Sequence, residues 1–289
     1  MPVFIIGGTA AYGLDLTPYR PLGASFVLET PYGPSPPITL LQPDPALPAV
    51  AFCSRHGADR LQRSAAFVNH RSLIWAAHRW GATVVFSWNG TGAIARTLEV
   101  GDLVIPDDFL DFSRRRITTF GRANLPPATG PVFHPVARQA ILAALAGGTN
   151  RFHAAGTYVC SEGPRLETIS EIALFRQYGA DVVGMTLSPE VFLAQELGLA
   201  YASLCFITNY ATGCADGRPP QRRFGPEVAH TCLPILLKAA QQISEPQIQA
   251  ADDDGSDFES VAQEGILLYV SCPSSSERPM AGRKDPSET

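Results

Sequence analysis

The sequence predicts an α/β fold: a single domain with a central mixed β-sheet flanked by helices, followed by a disordered acidic C-terminal tail. Three observations carry this expectation. Short apolar runs alternate with longer stretches of helical periodicity, the pattern of a sheet covered on both faces. With 289 residues, 45% apolar and 17% charged, the chain can bury one sizeable core. Beyond about Ser244 the periodicity stops and acidic, Ser- and Pro-rich sequence takes over.

The elements follow in order. Residues 3–6 form an apolar run closed by Gly7-Gly8, the first strand, and 49–53 the second. Residues 72–80 read as a helix stopped by Gly81. Strands are expected at 84–87 and 103–105, then an Ala- and Leu-rich helix at 136–145 stopped by Gly147-Gly148. Residues 156–160 are strand-like. Thr168 and Glu171 form a capping box that opens a helix over 169–178, stopped by Gly179. A short strand at 182–183 leads to Ser188-Pro189-Glu190, a helix start with Pro at the first helical position. Residues 200–208 are the most strand-like segment. Val228, Cys232, Ile235, Leu236 and Ala239 recur at helical spacing in the last helix, which Pro234 is expected to kink.

Charge divides the chain at the same place. Residues 1–244 carry 19 Lys and Arg against 17 Asp and Glu, while 245–289 carry 3 against 10, so the net −5 splits into +2 and −7. The expected organisation is a catalytic domain over 1–244 and a low-complexity tail over 245–289, interrupted by the apolar stretch 265–270 that would dock on the body or self-associate. A near-neutral body argues against nucleic acid as a partner, because binding a phosphate backbone needs a basic surface. The six cysteines, at 53, 160, 205, 214, 232 and 272, show no metal-type spacing, and several lie in apolar runs. A reduced, cytoplasmic location is expected, with no metal and no membrane partner: no apolar stretch reaches the length of a span, and the 3–6 run is too short for a signal peptide.

Three strings have physical reasons to face one ligand. Ser161-Glu162-Gly163-Pro164-Arg165-Leu166-Glu167-Thr168 turns just before a helix, so Glu167 sits in a bend where the backbone is expected to hold it. Gly184-Met185-Thr186 follows a buried strand, and Thr186 lies by a helix N-terminus, which favours anions. Thr208-Asn209-Tyr210 ends the longest strand. Ligands of open α/β sheets bind beyond the carboxyl ends of strands, so these three ends form one candidate pocket.

At these strings the chain resembles the trimeric branch of the purine nucleoside phosphorylase and methylthioadenosine phosphorylase family. The likeness also takes in Ile5-Ile6-Gly7-Gly8-Thr9, Glu29-Thr30-Pro31-Tyr32-Gly33, Ser54-Arg55-His56-Gly57, Val68-Asn69 and Gly101-Asp102, in family order, as far as about Ser244. Each motif alone is weak; the ordered set is specific. The resemblance implies phosphorolysis of a purine nucleoside, with inorganic phosphate as co-substrate, no cofactor, small-molecule partners only and a homotrimeric assembly.

For phosphate, the resemblance implies Thr9, Arg55, His56, the Asn89-Gly90 backbone segment and Thr186. Arg55 offers a permanent planar cation to two oxygens. For the sugar it implies Met185, with an aromatic from a neighbouring subunit, Phe112 or Phe120 in this chain. For the base it implies Glu167 and Asn209, which with His56 form the expected catalytic set. A carboxylate accepts from the N1–H of a 6-oxopurine, and an Asn amide donates toward O6 or N7. Adenine-selective relatives carry Asp at the places of Asn209 and Ala211, so 6-oxopurine nucleosides (inosine, guanosine or 5′-methylthioinosine) are favoured over methylthioadenosine.

Departures from the family pattern are Ala10 in place of a glycine, expected to reshape the phosphate loop, Ala58-Asp59-Arg60 in place of a second His, the 213–220 stretch, and Gly225 where the 5′ end of the sugar would be lined. The 5′ substituent stays open. The competing readings are a methylthioadenosine phosphorylase, a hydrolytic nucleosidase, a non-catalytic purine-binding member of the family and a dinucleotide-binding enzyme. A hydrolase has no use for Arg55 and Thr186, and Gly7-Gly8-Thr9-Ala10 does not complete a dinucleotide fingerprint.

Overall fold

A computed structural model describes residues 1–114, 117–121, 130–219, 221–244 and 246–248. The tail expected from 245 lies outside the described residues except for 246–248, and so do Cys272 and the apolar stretch 265–270.

Among the described residues ten strands join one mixed sheet: β1 (Val3–Gly7), β2 (Ile38–Leu41), β3 (Val50–Ser54), β4 (Val84–Ala93), β5 (Leu103–Val104), β6 (Asp108–Asp111), β7 (Phe152–His153), β8 (Thr157–Cys160), β9 (Val182–Gly184) and β10 (Ala200–Tyr210). The helices are α1 (His70–Trp80), α2 (Pro135–Leu145), α3 (Ile169–Gln177), α4 (Leu187–Glu196) and α5 (Glu227–Gln241). The main run is β2-β3-β1-β4-β10-β5-β7, with β3, β1, β4 and β10 mutually parallel. At its far end β4 also pairs antiparallel with β9, through Gly92 with Val183 and Ala93 with Val182, and β8 and β6 continue from there.

Strand alternation builds two cores. Val3, Ile5, Val84, Phe86, Trp88, Ala202 and Leu204 face α2 and α5, whereas Phe4, Ile6, Val85, Tyr201 and Cys205 face α1 and α4. This is the mixed sheet flanked by helices that the sequence predicts. The helix starts also follow their local chemistry. Asn69 caps α1 by accepting from Ser72 N at 3.1 Å, and Thr168 and Glu171 form both halves of a capping box on α3. Ser188 has extended backbone (φ −82°, ψ 130°), so regular helix in α4 begins at Pro189.

Several boundaries differ from expectation. β2, β6 and β7 are not predicted: each has four residues or fewer, too few to show a period, and β6 begins and ends in Asp. β4 runs on from 87 to Ala93 because β10 pairs with it along the whole length. α1 starts at His70, directly after its cap. α5 continues through Pro234 as one helix; Cys232, Leu233, Leu236 and Leu237 are buried around the proline and offset the hydrogen bond it cannot donate.

Candidate active site

A cleft of about 230 Å³ opens where β1, β3, β4, β9 and β10 end. Its lining includes Thr9, Arg55, His56, Asn89, Gly90, Glu167, Met185, Thr186 and Asn209. The structure thus brings together every residue expected at the site except Ala211. That residue is buried against Ile94, Val159 and Ile172 and does not line the cleft.

One end of the cleft is built around Arg55, the residue that follows β3. It is 1% exposed. Its Nη1 donates to Trp88 O at 2.9 Å and to Asn89 Oδ1 at 3.0 Å, and Nη2 contacts Glu190 Oε2 at 2.7 Å. Its Nε–H is buried with no protein acceptor. A buried, unused charged donor at a cleft is costly unless an anion completes it. Glycine makes the approach of this side chain possible: a methyl group at Gly8 would collide with the Trp88 carbonyl oxygen and lie 2.7 Å from Arg55 Nη1. Ala10 takes φ 60°, the left-handed conformation that suits glycine, so the backbone keeps a glycine-type turn although the residue is alanine.

Asn89 acts through its side chain, where the sequence pointed to its backbone. Its Oδ1 accepts from the Thr186 hydroxyl at 2.6 Å and from Arg55, and its Nδ2 donates to the Ser203 hydroxyl at 2.7 Å. The Gly90 N–H donates to the Thr9 hydroxyl at 3.2 Å. Asn89 and Gly90 both lie inside β4. His56 has Nδ1 at 2.9 Å from Arg63 O, an acceptor only, so Nδ1 carries the proton and Nε2 keeps its lone pair. Burial, then the Arg55 charge, push the His56 pKa down to about 4, which leaves the ring neutral at physiological pH. Arg55 is therefore the cation of this end.

At the other end, Glu167 is buried and its Oε1 accepts from the Ser161 hydroxyl. The expectation that backbone holds this carboxylate is corrected: a neighbouring side chain does. Asn209 follows a register shift in the pairing of β10 with β4; its Oδ1 accepts from the Thr208 hydroxyl at 2.9 Å and its Nδ2 donates to Tyr210 O at 2.9 Å. One amide hydrogen stays available. Met185 lies between the two ends in sequence and lines the cleft, with its Sδ packed so close to Gly163 that a methyl group there would overlap it.

Phe112 and Phe120, named for the sugar of a neighbouring subunit's site, lie away from this chain's own cleft. Phe120 is buried against Tyr32 and Trp75, which removes it as a ring that a second copy could meet. Phe112 packs on Phe175 at 4.8 Å between centroids. Pro164, Leu166, Gly184 and Thr208 line the cleft as parts of the three strings named for it, whereas sequence reasoning missed Ala65, Gly92, Val183 and Phe224, which line it too. Leu166 and Phe224 are 55% and 49% exposed, large apolar side chains held at its rim. The available signal for Phe224 was an apolar residue just ahead of the Gly225-Pro226 helix start. Among the described residues no set of three His, Cys, Asp or Glu side chains gathers to hold a metal, and no helix is long and apolar enough to cross a membrane.

The phosphorylase superfamily model matches residues 49–243. A relative from Methanothermobacter thermautotrophicus, named a probable S-methyl-5′-thioinosine phosphorylase, is 38% identical over 214 residues, 74% of this chain and 73% of its own. A 6-oxopurine nucleoside phosphorylase from Pyrococcus furiosus is 34% identical over 221 residues, 73% of this chain and 80% of its own. Among solved structures, the methylthioadenosine phosphorylase from Schistosoma mansoni in complex with tubercidin superposes with a TM-score of 0.75 at 26% identity, covering 89% of this chain and 98% of that one. With the motifs and the cleft they build, these likenesses show that the chain belongs to the phosphorylase superfamily, within the family of purine nucleoside and methylthioadenosine phosphorylases.

Proposed function

We propose that this protein cleaves the N-glycosidic bond of a 6-oxopurine nucleoside with inorganic phosphate, releasing the free purine and a ribose 1-phosphate or its 5-methylthio analogue. The observation that carries this reading is the buried, incompletely satisfied Arg55 in the same cleft as Glu167 and Asn209. A phosphate ion supplies the acceptor that the Arg55 Nε–H lacks. Thr9 and Thr186 supply further polar contacts, and the neutral His56 accepts at Nε2 from a phosphate hydroxyl without adding a second charge. At the far end the Glu167 carboxylate accepts from N1–H, and the free Asn209 N–H donates to O6 or N7 as negative charge builds on the departing base. Positioning and electrostatics do the catalytic work, with no covalent intermediate. No protein cofactor takes part.

The relatives named above are named for methylthioinosine (as probable), 6-oxopurine nucleosides and methylthioadenosine, and Asn209 favours the first two. Phe224 and Leu166 at the rim favour an apolar 5′-methylthio group over a hydroxyl. We assign catalysis to a domain over 1–244, assembled as a homotrimer in the cytoplasm, with 245–289 as an appended tail. The test is product analysis: with 6-oxopurine nucleoside and phosphate, the sugar should emerge as its 1-phosphate. Free sugar, formed equally well without phosphate, would make the protein a hydrolase. Phe224→Ala should lower kcat/KM for methylthioinosine more than for inosine, and equal losses would remove Phe224 from the 5′ site.

A further inference from the structure

Behind the cleft lies a buried polar cluster that the reaction as described does not use. Glu190, in the first turn of α4, is fully buried. Its Oε2 lies 2.7 Å from Arg55 Nη2 and 2.9 Å from the Tyr201 hydroxyl, and its Oε1 lies 3.0 Å from His70 Nδ1. A carboxylate only accepts, so all three partners donate into it, and His70 carries its proton on Nδ1. Burial raises the Glu190 pKa, but the Arg55 charge and the His70 hydrogen bond outweigh this and hold it well below the usual carboxylate range. The carboxylate is ionised, and with Arg55 it forms a dry ion pair.

The pair has a geometric consequence. Arg55 is gripped from three directions, by Glu190 on Nη2 and by Trp88 O and the Asn89 side chain on Nη1. Only Nε and the second hydrogen of Nη2 are left for a ligand, so the guanidinium cannot turn to follow one. Asn89 is held in turn by Ser203, and Thr186 by Asn89, so both belong to the same lock.

Taking phosphate as the ligand of Arg55, as proposed above, we infer that Glu190 is a positioning residue: it locks the Arg55 guanidinium so that phosphate meets a preset pair of donors aimed at the sugar. Removing the lock lets the nucleophile bind off line, and misplacement by about 1 Å costs of the order of 100-fold in rate.

Glu190→Gln is the direct test. An amide has one acceptor oxygen for three donors, so at least one grip on the cluster is lost. The expected result is a fall of roughly 10- to 100-fold in kcat/KM for phosphate, with the dissociation constant for the free purine base unchanged. A kcat/KM for phosphate that falls only in proportion to the folded fraction would overturn the inference, and so would an equal loss of purine affinity, since either marks a merely structural role. Tyr201→Phe removes one donor and keeps the carboxylate. It should lower the same constant several-fold with purine binding intact. If Glu190→Gln does not fold, unchanged phosphate kinetics in Tyr201→Phe overturns the inference. Wild-type protein that shows no phosphate dependence would instead overturn the proposed reaction, which separates the two failures.

Discussion

The Ser161 hydroxyl donates to Glu167 Oε1, and through this contact the residue just after β8 holds the carboxylate at the cleft. Glu167 is six residues farther along, beyond a turn, so its orientation depends on that hydroxyl. Ser161→Ala should cost about 1 kcal/mol of transition-state stabilisation, roughly a fivefold fall in kcat/KM for a 6-oxopurine nucleoside. Steady-state kinetics beside a thermal melt would separate this from unfolding. An unchanged kcat/KM would mean that Glu167 needs no orienting partner.

The proposed reaction gives Asn209 the base preference. Its free N–H suits an acceptor at position 6 of the purine, while a carboxylate there would accept from a 6-amino group. Asn209→Asp should therefore lower turnover of inosine and raise the ratio of adenosine to inosine turnover by about tenfold, the scale of one well-placed hydrogen bond. Competition between the two nucleosides in one reaction measures the ratio directly, and a constant ratio would show that Asn209 does not touch the base.

Gly8 is packed directly against backbone. A methyl group there strikes the Trp88 carbonyl, which is backbone and cannot swing aside, and crowds the Arg55 guanidinium. Gly8→Ala should destabilise the fold by about 1–3 kcal/mol and weaken phosphate binding. Gly147→Ala, at an open turn with nothing within 4 Å, serves as the comparison: strained at φ 75° but with no effect on phosphate. Equal phosphate affinities in both variants would contradict the packing argument.

His56 ties stability to pH. Its pKa is about 4 in the folded protein against an ordinary value of 6.5, so between these pH values the unfolded chain binds a proton that the folded chain excludes. The contribution is complete above pH 6.5 and is lost as pH falls toward 4. Without phosphate, acidification across this window should lower the melting temperature of the wild type more than that of His56→Gln. Parallel curves would show that the ring titrates normally.

Much of this site was legible in the sequence because its chemistry sits at strand ends, and strand ends are marked by glycine and by helix caps. Thr9, Arg55, Thr186 and Asn209 each lie at the end of an apolar run that could be read without knowing the sheet order, and Glu167 stands just ahead of a capping box. What could not be read depends on pairing across the chain. Glu190 looks like an ordinary first-turn acid until β3 and α4 come together and place Arg55 against it, 135 residues away. Phe224 becomes a rim residue only because Arg223 N donates to Thr208 O and folds the chain back toward β10. β2 and β6 were too short for periodicity to reveal, although their neighbours in the sheet make them unambiguous in three dimensions.

The central claim is tested most directly by base release from inosine, methylthioinosine, adenosine and methylthioadenosine, each with and without phosphate. The account predicts release that requires phosphate and is faster from the two 6-oxopurine nucleosides, with methylthioinosine ahead of inosine. Release that ignores phosphate, or that is fastest from the 6-aminopurine nucleosides, would contradict it.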